Sequence, residues 1–131
     1  MNNFLSKYKS IFYSFNIILI ILYLFPGSLL GCLLYSDCKL QPQITHDFIV
    51  SSNHVYAFFV LSMTGFFTYK RVSNLNILIL YLLILSIILE ILHLIIPLRS
   101  FELSDLFGNL IGVLIAILIN FLFKIHEKFK N

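Results

Sequence analysis

The chain has 131 residues, of which 60% are hydrophobic and only 11% are charged, and its formal net charge is +3 at pH 7. A soluble domain of this size could not hide so much apolar surface, so the composition excludes an ordinary soluble protein. The basic residues form no patch with interleaved aromatic residues, which argues against nucleic-acid binding.

Four apolar windows of about 20 residues predict four membrane-spanning helices, because a helix of that length crosses a hydrocarbon core. They cover about residues 11–30, 48–69, 75–96 and 105–123. Lipid-exposed backbone must satisfy its own hydrogen bonds, which favours helices over open strands. We therefore expect an all-α polytopic membrane protein, a four-helix transmembrane bundle, with residues 1–131 as a single domain.

The distribution of Lys and Arg predicts the orientation of this bundle. With both termini in the cytoplasm (N-in/C-in), only Lys39 and Arg99 lie outside. The inner side then holds Lys7, Lys9, Lys70, Arg71, Lys124, Lys128 and Lys130. This excess of positive charge is typical of the cytoplasmic side.

Polar residues recur at helical spacing in the third and fourth windows. Glu90 and His93 share one face of the third helix, while Asp105 and Asn109 share one face of the fourth. At 1.5 Å per residue, Glu90 lies about 9 Å inside Ile96, and Asn109 about 6 Å inside Asp105. His54 lies near the start of the second helix, on the same outer side of the membrane. The sequence therefore predicts one polar cluster near the outer surface.

Small residues on the fourth helix predict close helix packing. Gly108 and Gly112 are four residues apart, a spacing that lets two helix backbones approach. Ser104 precedes the fourth window and has the side chain of an N-cap. Asp105 then falls in the first turn, where the helix dipole favours an anion.

The stretch from Glu90 to Gly112 reads Glu-x-x-His, Pro-x-Arg, then Asp-x-x-x-Asn-x-x-Gly. This pattern resembles the VanZ-like proteins, small bacterial membrane proteins named for a teicoplanin-resistance factor. His54-x-x-x-Phe58 is similar to an upstream histidine element of that family, and Tyr23-x-x-Pro26 to the end of its first helix. The family usually has Asp-Lys before this histidine, where the present chain has Val50-Ser51. The resemblance implies a multi-pass protein of the bacterial plasma membrane, and it brings no established reaction.

The residues of the predicted cluster admit structural and functional interpretations. They are His54, Glu90, His93, Arg99, Asp105 and Asn109. A buried carboxylate in a membrane needs partners, so Glu90 either joins a network that holds the helices together or serves as a ligand-binding or proton-accepting group. Arg99 would pair with Glu90 or Asp105, or help to hold an anion. We expect no metal and no cofactor; Glu90 with His54 and His93 as a zinc set is the alternative.

Cys32 and Cys38 lie in the predicted outer loop, where disulfides persist, so they are candidates for a disulfide. Alternatively, Leu29-Leu30-Gly31-Cys32 could serve as a lipoprotein cleavage box.

Three functions fit these residues. The first is an envelope-associated protein that binds a lipid head group or a cell-wall precursor and so affects glycopeptide susceptibility. The second is an accessory subunit that docks onto a membrane-protein partner or forms a homo-oligomer. The third is a membrane enzyme acting on a lipid-linked substrate with Glu90 or His54 as general base, which is disfavoured because no catalytic motif is present.

Overall fold

The computed structural model of the chain describes residues 2–70 and 72–130, and in this part all regular structure is α-helical. The helices are α1 (Asn2–Leu24), α2 (Leu29–Tyr35), α3 (Ser52–Thr68), α4 (Val72–Leu92) and α5 (Leu103–Lys130). Of the basic residues that carry the predicted orientation, Arg71 and the side chain of Lys7 lie outside the described part.

Among the described residues, two helices are long and apolar enough to cross a membrane. They are the segment Asn74–Leu92 of α4 and the whole of α5. The segment Tyr8–Leu24 of α1 and the short helix α2 meet at an angle of 82° and supply a third span if the bent pair acts as one. The chain thus has the helices of a membrane protein, in agreement with its composition.

The helix bounds differ from all four predicted windows, and the third window, 75–96, corresponds to α4, which ends at Leu92. The first window divides into α1 and α2. The second begins at Ser52 and leaves α3 with 17 residues, because Asp47 accepts a hydrogen bond from the Ser52 backbone N–H at 2.8 Å and ends the preceding loop there. The fourth window extends to Lys130. Since α5 begins at Leu103, Ser104 lies within its first turn and is not the N-cap.

The bend between α1 and α2 has a local cause. Gly27 adopts a positive φ of 77°, and a Cβ at this position would collide with the Cys38 carbonyl oxygen. The chain then turns into α2, whose first turn is capped by the Ser28 hydroxyl accepting from the Gly31 N–H at 2.9 Å. A disulfide between Cys32 and Cys38 closes the loop that follows α2.

The closest helix pair is α3 with α5. A Cβ on Gly112 would lie 2.5 Å from the Val55 carbonyl oxygen, and one on Gly108 would lie 2.7 Å from the Ser51 carbonyl oxygen. Both glycines therefore permit a backbone-to-backbone approach that any larger residue would prevent. This approach places the first turns of α3 and α5 side by side.

The apolar core and the polar residues lie at different levels along the helices. Phe58, Leu61, Leu82, Leu89 and Val113 are almost completely buried among α3, α4 and α5. The polar residues lie towards the end at which α1 terminates, α3 and α5 begin and α4 terminates. We call this the loop end, because residues 36–51 and 93–102 connect the helices there.

Candidate functional site

The loop end gathers polar side chains from four helices and one turn into one cluster. Its members are Tyr23 of α1, His54 of α3, Glu90 of α4, His93 of the following turn, and Asp105 and Asn109 of α5. We call these six residues the polar cluster. Glu90 and Asn109 are fully buried and His93 is almost so, in surroundings where a polar group requires partners.

Asn109 is the hydrogen-bonding centre of the buried half of the cluster. Its Nδ2 donates to the Ser86 carbonyl at 3.1 Å, which directs Oδ1 towards Tyr23 and His54. Oδ1 accepts from the Tyr23 hydroxyl at 2.6 Å and lies 3.0 Å from His54 Nδ1. The Tyr23 hydroxyl also lies 3.0 Å from that nitrogen.

These contacts assign the proton of a neutral His54. An amide oxygen only accepts, and the Tyr23 hydroxyl hydrogen is already directed at Asn109. Nδ1 of His54 must therefore donate, which leaves Nε2 with the lone pair. Nε2 lies 3.4 Å from Asp105 Oδ2, and the two side chains are 14% and 20% exposed.

Glu90 accepts a hydrogen bond from the backbone of the segment that connects α4 with α5. Its Oε1 accepts from the Glu102 backbone N–H at 3.1 Å and lies 3.3 Å from His93 Nδ1. Its Oε2 has no hydrogen-bond partner among the described residues and is fully buried. His54 Nδ1 is 3.9 Å from Oε2, which is within ion-pair range but too long for a hydrogen bond.

His93 has a different environment from His54. Its Nε2 donates to the Tyr23 carbonyl oxygen at 3.0 Å, and its ring stacks on the Tyr23 ring with centroids 5.7 Å apart. With Nδ1 against Glu90, both ring nitrogens are engaged inside the protein. The metal-capable set is instead His54, Glu90 and Asp105, whose ligand atoms lie within 4.8 Å of one another.

Arg99 does not form the ion pair that its position in the sequence suggested. Within the described residues no carboxylate lies within 4.0 Å of it. Its guanidinium donates to the Leu22 carbonyl at 2.7 Å and to the Phe25 carbonyl at 3.4 Å, carbonyls left free where α1 ends. Burial lowers the pKa of the Arg99 guanidinium from its ordinary value, while the negative charges of Glu90 and Asp105 act in the opposite direction.

Two neighbouring cavities lie beside the cluster. The first, of about 240 Å³, is mainly polar and is lined by His54, His93, Arg99, Glu102 and Asp105 among others. The second, of about 420 Å³, is an apolar groove between α1 and α3. We call them the polar cavity and the apolar groove; both are lined by Ser28, Gln41, Gln43, Asn53, His54 and Arg99.

Some contributors to the site were not among the predicted site residues. In the sequence, Tyr23 was identified only as part of the end of the first helix. A buried tyrosine hydroxyl needs a polar partner, and this requirement could have indicated that Tyr23 belongs to the site. Glu102 contributes its backbone N–H and Ser86 its carbonyl, which no side-chain pattern reveals.

Comparison with known proteins finds no matching family model, no matching curated protein and no matching solved structure. The functional interpretation therefore depends on the sequence and on the geometry of the polar cluster and its cavities.

Proposed function

We propose that this chain is a multi-pass protein of the bacterial plasma membrane that binds an amphiphilic envelope component, either a lipid head group or a lipid-linked cell-wall precursor. The observation that carries the proposal is that the apolar groove and the polar cavity are neighbours and share six lining residues. Ligand pockets combine an apolar lining with a few placed polar groups, and an amphiphile has the same two parts.

The apolar groove suits a hydrocarbon chain. Its walls include Phe15, Ile18 and Leu22 on α1 and Tyr56 and Val60 on α3. From Phe15 to Leu22 the groove follows α1 for about 10 Å at 1.5 Å per residue. A chain lying there would extend from the surrounding membrane towards His54 and Arg99.

The polar cavity suits an anionic head group at its Arg99 side. The Arg99 charge has no carboxylate within ion-pair distance in the described part of the chain, and Lys39 lines the same cavity. A partly buried guanidinium with unsatisfied charge attracts phosphate or carboxylate oxygens. Asp105 also lines the cavity, and its negative charge opposes this attraction.

We propose that the helices form an N-in/C-in bundle of four spans, with α1 and α2 together as the first and the loop end outside. The excess of positive charge on the opposite side supports this orientation. The resemblance to VanZ-like proteins, carried by Glu90, His93, Arg99, Asp105 and Asn109, supports a role in the cell envelope and an effect on glycopeptide susceptibility.

One matched pair of substitutions tests the binding proposal. Ile18 and Ile21 are both on α1 and both 52% exposed, but only Ile18 lines the apolar groove. Ile18→Trp should obstruct the groove and weaken lipid retention by about tenfold, which corresponds to about 1.4 kcal/mol. Ile21→Trp should retain lipid like the unmodified protein.

Native mass spectrometry of the purified protein supplies the measurement, with a polyprenyl phosphate, phosphatidylglycerol and phosphatidylcholine offered in turn. We expect the two anionic lipids to be retained more strongly than the zwitterionic one. Equal retention by both tryptophan variants and the unmodified protein would show that the groove holds no lipid chain. Preference for phosphatidylcholine would contradict the assignment of Arg99 as the head-group contact.

A membrane enzyme acting on a lipid-linked substrate is the second candidate. The observation that favours it is the contact of His54 Nε2 with Asp105 at the edge of the polar cavity, where a histidine could act as general base. Hydrolysis of the retained polyprenyl phosphate, abolished in His54→Gln, would favour the enzyme over a binding protein.

A further inference from the structure

We propose that His54, Glu90 and Asp105 form a binding site for a divalent metal ion of the zinc type. The three residues come from α3, α4 and α5, and each offers one ligand atom within 4.8 Å of the others. The set differs from the combination of Glu90 with two histidines that the sequence alone suggested. Nε2 of His93 donates to the Tyr23 carbonyl, and its Nδ1 lies beside Oε1, the other oxygen of Glu90. This inference stands apart from the proposed lipid binding and does not rest on it.

The unpartnered oxygen of Glu90 is the first observation that calls for a cation. Oε2 is fully buried and has no hydrogen-bond partner among the described residues. It lies 3.9 Å from Nδ1 of His54, whose other ring nitrogen, Nε2, is the proposed ligand atom. A buried carboxylate oxygen without a partner is costly, because it has lost its hydration and gained nothing in return. A metal ion bound to Oε2 would remove that cost.

The contact between His54 and Asp105 is the second observation. With Nδ1 donating to Asn109 and Tyr23, a neutral His54 directs its Nε2 lone pair towards Asp105 Oδ2, which is also an acceptor. Two acceptors facing each other require a cation or a proton between them. Their separation of 3.4 Å exceeds the roughly 2.7–2.9 Å of a charge-assisted hydrogen bond.

The same distance agrees with tetrahedral coordination. Zinc binds histidine nitrogen and carboxylate oxygen at about 2.0–2.2 Å, so two of its ligand atoms lie about 3.4 Å apart. Binding would draw the Glu90 oxygen from within 4.8 Å towards that same separation, a change that side-chain torsions can provide.

The residues around the set resemble the supporting shell of a metal site. Metal-binding histidines generally donate their other ring N–H to a neighbouring oxygen, as His54 Nδ1 does towards Asn109. The other oxygen of Glu90 is held by the Glu102 N–H. These contacts fix the orientation of two of the three ligands before an ion arrives.

The chemistry of the donors favours zinc over magnesium. One imidazole with two carboxylates suits zinc or manganese, whereas magnesium prefers oxygen ligands and retains several waters. His54 and Asp105 both line the polar cavity, so a fourth coordination position would face that cavity. Three protein ligands and one open position allow the ion to take a water or an anionic oxygen from the cavity.

Zinc binding by the purified protein in detergent micelles tests the site. The protein is first treated with a chelator and dialysed, and then competes with a fluorescent zinc indicator. We expect one zinc ion per chain, and we expect Co²⁺ in its place to give the intense visible bands of a tetrahedral site. His54→Gln and Asp105→Asn each remove a ligand and should weaken zinc binding by about 100-fold or more, since loss of a supporting residue alone costs about 10–100-fold.

Two exposed loop residues provide matched controls. His46→Gln and Asp37→Asn make the same chemical changes outside the polar cluster and should bind zinc within about twofold of the unmodified protein. Circular dichroism shows whether each variant is folded, and either ligand variant that folds is sufficient for the test. No competition by the unmodified protein, or zinc binding retained in the folded ligand variants, would overturn the proposal.

Discussion

Replacing Gly112 by alanine should separate α3 from α5 and disturb the polar cluster at the same time. The new Cβ would lie 2.5 Å from the Val55 carbonyl oxygen and 2.9 Å from the Phe59 backbone nitrogen. Both are backbone atoms and cannot rotate away, so the helices must move apart by about 0.9 Å to restore ordinary contact at about 3.4 Å.

The energetic cost follows from two opposing effects. Overpacking costs typically about 1–3 kcal/mol, and we expect about 2–3 kcal/mol here because both close atoms belong to the backbone. Alanine in a helix is favoured over glycine by about 1 kcal/mol, which offsets part of that cost. We therefore expect the free energy of unfolding to fall by about 1–2 kcal/mol, measured by circular dichroism as the fraction of a denaturing detergent in mixed micelles is raised.

Gly65→Ala is the matched control for this substitution. Its Cβ would meet only side-chain atoms of Leu78 and Phe12, at 3.0 Å, and these can adjust. We expect a change of less than about 1 kcal/mol for Gly65→Ala. If Gly112→Ala were as stable as the unmodified protein, or less perturbed than Gly65→Ala, the close approach of α3 and α5 would be refuted.

Two further substitutions test the surroundings of the cluster. Tyr23→Phe removes the hydroxyl shared by the histidine and the asparagine while keeping the ring, and should lower the free energy of unfolding by about 1–2 kcal/mol; an unchanged unfolding midpoint would show that this hydroxyl contributes nothing. Cys32→Ser combined with Cys38→Ser opens a loop of sequence separation 6 and should cost about 2 kcal/mol. Treatment with a reductant should shift the unfolding midpoint of the unmodified protein but not that of the double variant, and an equal response of both would argue against the bridge.

The helical class and the gathering of the cluster could be predicted because both depend on local periodicity. His54, Glu90 and Asn109 are placed by helix spacing and by depth from the helix ends, and neither requires knowledge of distant contacts. The apolar composition likewise predicts helices that could span a membrane before any packing is known.

The helix bounds at the loop end could not be predicted because they depend on individual turns. Phe48 and Ile49 continue an apolar window and look helical in the sequence, yet they are 95% and 82% exposed in the loop before α3. The hydrogen bond from Ser52 to Asp47 and the left-handed Gly27 decide where these helices begin and bend. Neither the hydrogen bond nor the glycine conformation can be predicted from hydropathy.

The partners of Arg99 and His93 could not be predicted for a related reason. A long side chain can reach several acceptors, and the carbonyls of Leu22 and Phe25 become available only because α1 ends at Leu24. Similarly, α4 ends at Leu92, so His93 lies in a turn and donates to the Tyr23 carbonyl. The third residue of the metal-capable set, beside His54 and Glu90, is therefore Asp105 of α5 and not His93.

The charges around the polar cavity connect the two proposals while leaving them separately testable. The cavity is lined by the cationic residues Lys39 and Arg99 and by the acidic residues Asp47, Glu102 and Asp105. Without an ion, two cationic and three acidic residues line the cavity, so the attraction of an anionic head group depends on direct contact with Arg99. A divalent ion bound by His54, Glu90 and Asp105 would add positive charge beside the cavity. Lipid retention that is weakened by Ile18→Trp in a protein that binds no zinc would support the groove alone. Zinc binding by a protein that retains no lipid would support the metal site alone.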